Sequence, residues 1–421
     1  MGRRARFVAS AFGSAGDFLP TLAVARGLRN AGHEVTFVTN PFHADVIRRA
    51  DAGMGLVTVG DHVDLYKLIT DDPGLLTSPR VLGVMVEDLA RPHYVATYHA
   101  VRALLRSERV DGVIGSNLAF GALWAALERE VPAMMLAATP LAWTSRAAPV
   151  QFLDVELPSW ALSLAIGLTN GIGFGLVDHA LRSIARSAGA TAFDTSYSAV
   201  TSRVALHVGV WPELLRPRAP DDQPNMRACG FIRAGHLGAA APELPRALEA
   251  FLDAGEPPIV IALGSIFSLS EDALIADAAA ASARLGHRVV VVGPAPRGHT
   301  LPEGAFVVPY AAYHLLFPRA RATIIHGGAG TTAEALRSGR PTVVVPFAFD
   351  QFGIAWQVER LGAGVRVRKR DRTIDAIERA LERALDPEIS GGAARVGAAL
   401  ADARDGALVC AEWAGELALE G

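Results

Sequence analysis

The sequence predicts an α/β protein built as two Rossmann-like domains in series, facing one another across a cleft. Two observations carry this. At 421 residues the chain is too long for one ordinary core and fits two domains of α/β size. Short apolar runs also alternate with helical stretches in each half. The alternation restarts after a break rich in proline and aspartate, at Pro212, Pro217, Pro220, Asp221, Asp222 and Pro224. A strand–helix–strand order implies parallel sheets with right-handed crossovers. Such sheets bind ligands at the C-terminal ends of their strands, here in the cleft between the halves. The expected divisions are a first domain over 1–215, a linker over 216–235, a second domain over 236–395 and a C-terminal helix over 396–421. That last helix could pack back on the first domain.

In the first half, Ala5 to Phe12 reads as a strand, followed by the turn Gly13-Ser14-Ala15-Gly16-Asp17 and a helix from Pro20 to Ala31. His33 to Thr39 is the second strand and Met54 to Val59 a third. From Asp61 to Tyr98 the pattern is irregular, with Pro73, Pro79 and Pro92, as expected of an insertion over a sheet edge that could line a pocket. Val110 to Ser116 and Ala133 to Ala138 are strands with a helix over Phe120 to Arg129 between them, and Arg203 to Gly209 is the expected last strand of the domain. In the second half, strands are expected at Pro258 to Leu263, Arg288 to Val292 and Ala305 to Val308. Helices are expected over Glu271 to Leu285, Phe352 to Leu361, Asp371 to Leu385 and Ala393 to Leu417.

Composition excludes several classes. Half of the residues are hydrophobic, so the chain is globular and not disordered. A net charge of −3 without a basic run gives no support for nucleic-acid binding. Cys229 and Cys410, far apart in sequence, imply neither a disulfide framework nor a cysteine metal site, and a reducing cytoplasm is the expected compartment. Arg3-Arg4 precedes an apolar run that ends at Phe12, which suits a first strand better than a leader. Leu157 to Val177 carries no charge and is long enough to span a bilayer, yet contains Pro158, Asn170 and several glycines. It is expected to form helical segments around an apolar pocket, with peripheral membrane contact as the alternative.

The densest chemistry lies between Ala322 and Trp356. Ala322 to Ile325 is a short buried strand, and His326-Gly327-Gly328-Ala329-Gly330 is a turn open only to small residues. Thr331 takes the N-cap position, with Glu334 three residues on, at the start of an Ala/Leu helix. Unpaired N–H groups and the positive end of the helix dipole suit a phosphate or diphosphate, and His326 could add a donor. Past Gly339-Arg340-Pro341, the strand Thr342 to Val345 ends in Pro346 and delivers Asp350 and Gln351 to the same sheet edge.

A glycine turn before a helix is common. The run His-x-Gly-x-Gly-Thr, then Glu, Gly-x-Pro and Pro-x-x-x-Asp-Gln is far more specific. It resembles the donor-binding motif of the family 1 glycosyltransferases, the UDP-glycosyltransferase-like enzymes of the GT-B fold. The turn Gly16-Asp17-Phe18-Leu19-Pro20 resembles that family's Gly-His-x-x-Pro turn, whose histidine is the general base. Asp17 takes that place here, as in a bacterial subgroup. The competing assignment is that Asp17 is only a helix N-cap. Histidine-dependent members hold the imidazole with an aspartate where this chain has Ser116; a carboxylate has no tautomer to fix, so the missing partner is consistent with Asp17 acting as the base.

The resemblance implies an inverting transfer of a hexose or deoxyhexose from a UDP- or TDP-sugar to a hydroxyl of a lipophilic small molecule. Donor contacts would come from Gly264, Ser265, Val308, His326, Gly328, Ala329, Gly330, Thr331, Glu334, Asp350 and Gln351, with Glu334 on the ribose and Asp350 and Gln351 on the sugar. The family's Trp-x-Pro-Gln is Val307-Val308-Pro309-Tyr310 here, so no indole stacks on the base and UDP is not preferred over TDP. Acceptor contacts are expected from Phe18, His62, His93, Asn117, Trp143 and Phe152. No Asp-x-Asp occurs, so no metal and no cofactor beyond the nucleotide sugar are expected. The oligomeric state expected is monomer or homodimer. Two other functions fit parts of the pattern: a GT-B sugar-nucleotide 2-epimerase, which needs no apolar acceptor pocket, and a non-catalytic helper of a partner glycosyltransferase.

Overall fold

The computed structural model describes residues 3–72, 75, 78, 80–143, 145, 147–148, 159–234, 237, 243–264, 271–348 and 350–420. Two parallel sheets organise it. The first holds β1 (Arg6–Ser10), β2 (Glu34–Thr39), β3 (Gly55–Thr58), β4 (Gly112–Ser116), β5 (Ala133–Ala137), β6 (Leu206–Gly209) and β7 (Met226–Ala228), in the order β3-β2-β1-β4-β5-β6-β7. The second holds β8 (Ile259–Ala262), β9 (Val289–Val292), β10 (Phe306–Val308), β11 (Ala322–Ile325), β12 (Thr342–Val344) and β13 (Gly364–Arg366), in the order β10-β9-β8-β11-β12-β13. Phe7 lies opposite Val35 on one side and Gly112 on the other, which sets the register at the centre of the first sheet. Helices cover both faces, so strands such as Val289–Val292 are apolar and buried throughout.

Strand order reverses between β1 and β4 in one sheet and between β8 and β11 in the other. A crevice opens at each reversal, beyond the carboxyl ends of the strands. The turns after β1 and β11 are those that carry Asp17 and His326.

Several elements differ from expectation. The first helix, α1 (Ala15–Asn30), starts a turn before Pro20, because Ser14 caps it and Asp17 at its third position reaches back. Residues expected to be irregular near Pro92 form a π-helical turn (Val84–Ala90) running into α2 (Arg91–Ser107). Pro92 stands at the junction, as the second residue of α2, where the wider π-helical turn gives way to the α-helical run. Leu157 lies outside the described residues, and the stretch after it is one helix, α3 (Ser159–Ala188), not several segments. Among the described residues no helix is long and apolar enough to cross a membrane. Met226–Ala228, inside the expected linker, pairs with β6 as an edge strand.

The last helix is broken in two. One piece ends at Ala401, and α6 (Gly406–Glu420) follows. Ala407, Cys410, Ala411, Ala414 and Ala418 of α6 join Val24 and Leu28 of α1 in one core. The chain end therefore returns to the first sheet. A Cβ on Gly406 would lie 2.7 Å from the Gly230 carbonyl and 2.9 Å from the Cys229 sulfur, so only glycine lets α6 start against this crossing segment. The crossing also sets the free thiol Cys410 beside Cys229; burial and that neighbour push the Cys410 thiol up. Sequence separation gave no sign of this contact.

Candidate active site

Asp17 is half-buried at the third position of α1, not at its N-cap. Its Oδ2 accepts hydrogen bonds from the Ser14 N–H and the Ser14 hydroxyl, both at 3.1 Å. A Cβ on Gly13 would fall 2.5 Å from Oδ2, so the turn must be glycine for the carboxylate to fold back on it. Although water reaches it from the cleft, protein surrounds the group. Burial raises its pKa to about 6; the Ser14 bonds oppose the shift and the facing Asp350 adds to it. A carboxylate that titrates near 6 is a far better base than one at the usual value.

Across the cleft, Asp350 precedes α5 (Gln351–Arg360) as its N-cap residue. Burial raises its carboxyl above the ordinary range, and the Thr139 hydroxyl from the end of β5 opposes this. Thus the two sheets approach each other at Thr139, Asp17 and Asp350. Gln351 is buried, and its Oε1 accepts from the N–H groups of Phe347 (2.8 Å) and Ala348 (3.2 Å), so its side-chain oxygen shapes the Asp350 loop.

His326 follows β11 and is almost fully buried. A Cβ on Gly264 would lie 2.5 Å from the ring, and one on Gly328 2.3 Å, so two glycines from separate turns flank the imidazole. Burial lowers its pKa to about 4, while the Ala262 carbonyl that accepts its N–H works the other way. The imidazole is therefore neutral, with that proton committed to the backbone. Donation to a diphosphate from the other nitrogen requires a second proton, which the anion's charge would favour.

Helix α4 (Ala329–Arg337) begins beside the ring. Its N-cap is Gly328, in extended backbone, rather than Thr331, which is the helix's third residue. The expected capping box is absent because Thr331 and Glu334 both lie inside the helix, and Glu334 pairs instead with Arg337, Oε1 2.7 Å from Nη1. Ala329, Gly330 and Thr331 still form the first turn, where backbone N–H groups lack helical partners. The Val308 carbonyl is taken by the Gly293 N–H at 2.9 Å, which ties it to the sheet. Ser265 lies outside the described residues.

The expected acceptor residues separate. Phe18 is 1% exposed and packs behind Asp17, since one helical step turns it toward the core. Trp143 is also core: edge-on to Trp211 at 4.8 Å and beneath the Arg216 guanidinium. His93 is buried and stacks on Phe12 at 4.4 Å. His62 is exposed, edge-on to Phe42. Only Asn117, buried just past β4 with an Oδ1 that has no hydrogen-bond partner among the described residues, keeps a place at the sheet edge. Phe152 lies outside the described residues.

Sequence reasoning missed Thr139, Tyr94, His43 and Tyr66. Tyr94 is buried near Asp17, whose charge joins burial in pushing the phenol up. The one signal available for His43 was its place after the Asn40-Pro41 turn that closes β2.

Two parallel sheets with their switch points face to face, one carrying a carboxylate and the other a glycine-flanked histidine, define the GT-B architecture. Residues 277–404 match the family model described as erythromycin biosynthesis protein CIII-like, C-terminal domain. Solved glycosyltransferases of kitacinnamycin and calicheamicin, each 20% identical and with TM-scores of 0.74 and 0.72, share the fold of the whole chain. The chain is 37% identical over 172 residues to O-mycaminosyltylonolide 6-deoxyallosyltransferase of Streptomyces fradiae, covering 40% of each chain. It is 37% identical over 205 residues to vancomycin aglycone glucosyltransferase of Amycolatopsis orientalis, covering 47% of each. These matches span less than half the length of either relative. The glycosyltransferase VinC in complex with DTDP superposes with a TM-score of 0.70 at 21% identity, over 99% of this chain and all of that one, and shares the fold.

Proposed function

We propose that the protein is a glycosyltransferase of natural-product type. It moves a hexose or deoxyhexose from a UDP- or TDP-sugar to a hydroxyl of a lipophilic small molecule, with inversion and without a metal. The observation that carries this is the Asp17 carboxylate, held by Ser14 after β1 and facing Asp350 from the second domain. The acceptor oxygen attacks the anomeric carbon while Asp17 takes its proton. The bond from that carbon to the phosphate oxygen breaks, and the diphosphate leaves with the electron pair. One displacement from the face opposite the leaving group inverts the centre. The first turn of α4 and His326 would stabilise the leaving charge. Asp350 stands where it could hold sugar hydroxyls, and Glu334 would reach the ribose beside its bond to Arg337. Among the described residues no cluster of histidine, cysteine, aspartate or glutamate is placed to hold a metal.

The names of the relatives support the class: one is a deoxyhexosyl and one a glucosyl transferase of natural products. The test is thermal stabilisation by UDP, TDP, GDP and ADP with and without EDTA, followed by product formation with apolar hydroxyl acceptors. A ligand that binds only the folded state raises its stability with concentration. Stabilisation by UDP or TDP that ignores EDTA is expected. No response to any nucleotide would remove the diphosphate site, and an epimerised nucleotide sugar without transfer would make the protein an epimerase.

A further inference from the structure

The turn that carries Asp17 is held from outside by residues that follow other strands. The His43 ring, 7% exposed, lies flat on Phe18, the residue after Asp17, with centroids 4.1 Å apart and planes 9° apart. A ring N–H of His43 faces the Gly13 carbonyl. On the other flank the Tyr66 hydroxyl accepts from the Ala15 N–H at 3.3 Å, and Phe42, next to His43, packs on the Tyr66 ring. The segment bearing His43 is itself fixed: the Thr39 hydroxyl donates to the Ala11 carbonyl at 2.9 Å, and Asn40 Oδ1 accepts from Phe42 and Val63.

We propose that His43 is a positioning residue for Asp17: it clamps the Gly13 turn, through the stack on Phe18 and the Gly13 carbonyl, so that the Ser14 N–H stays on the carboxylate. His43 does not touch substrate. The proposal rests on Asp17 being the base for its catalytic consequence, although not for its geometry. Burial keeps the imidazole neutral, with its pKa lowered to about 4, so it can offer one N–H to the carbonyl throughout the working range. The titratable groups near the pair are Asp350 and Tyr94 around Asp17, and His93 beside His43.

The test compares His43→Phe, which keeps a ring on Phe18 but loses the donor, with His43→Gln, which keeps a donor. Titration of the Asp17 carboxyl is followed by NMR on the full chain labelled at aspartate, its signal assigned by loss in Asp17→Asn. In His43→Phe the turn loosens and the Ser14 N–H leaves the carboxylate; because that bond favours the charged form, the Asp17 midpoint is expected to rise above about 6. His43→Gln should hold it closer to the parent. Turnover should fall about tenfold in His43→Phe with TDP or UDP affinity unchanged, and its acidic limb should shift with the midpoint. A midpoint unmoved in a folded His43→Phe overturns the proposal, whatever the turnover. A moved midpoint with unaltered turnover would leave the clamp standing and remove Asp17 as the base.

Discussion

Replacing Asp17 with asparagine should lower activity and raise stability together. The folded carboxyl titrates at about 6 against 3.8 for the free group. Between those values the folded state binds more protons than the unfolded state, so stability falls as pH rises through the window. The deficit is complete above about pH 6 and absent below the unfolded value. A shift of this size corresponds to at most about 3 kcal/mol. Contact with water in the cleft reduces that to about 1–2 kcal/mol. Asparagine keeps an oxygen for the Ser14 N–H and carries no charge to bury. Asp17→Asn should therefore be more stable than the parent by about 1–2 kcal/mol at pH 7.5, roughly 2–4 °C in melting temperature per kcal/mol, with the difference shrinking toward pH 4. Turnover, followed as nucleoside diphosphate release, should fall by about 10²–10⁴-fold while diphosphate affinity is kept. Turnover within twofold of the parent would refute the base assignment. A variant less stable at pH 7.5 than the parent would refute the claim that the carboxylate is held at a cost.

Two further outcomes follow from the same contacts. Gly328→Ala drives a methyl group against the His326 ring, so TDP or UDP affinity measured calorimetrically should fall at least about tenfold; unaltered affinity would separate His326 from the diphosphate. Asp222→Asn strips the charge from a buried pair in which Arg216 bonds both carboxylate oxygens, at 2.5 and 2.6 Å. Urea unfolding should show a loss of about 3–5 kcal/mol, and a loss under 1 kcal/mol would mean water reaches the guanidinium.

The legible parts of this protein were those written in contiguous residues. Runs such as Val289–Val292 can be buried only between two helical layers, so the parallel sheets and the two-domain order could be read from pattern alone. The glycine turn after β11 and the carboxylate after β1 were recognisable because each is a short motif whose residue types follow from its backbone. The cap of α4 was misplaced by three residues, since Gly328 competes with Thr331 until the backbone is fixed. The burial of Phe18, Trp143 and His93, expected as acceptor residues, was illegible for a different reason. An aromatic residue beside a cleft motif is not marked as facing the cleft or the core, and helix phase and tertiary packing turned these three inward.

By itself, then, the sequence determined the two parallel-sheet halves and the residue types offered at each sheet edge, because strand period and turn stereochemistry are local, while the GT-B class was implied only by the resemblance of its motif. Tertiary structure alone decided how those edges meet. Burial between distant segments raises Asp17, which faces Asp350, and neutralises His326, and it lays His43 on Phe18 and Cys410 beside Cys229. Desolvation and facing charge depend on what lies across a gap in space, and no window along the chain contains both sides of the gap.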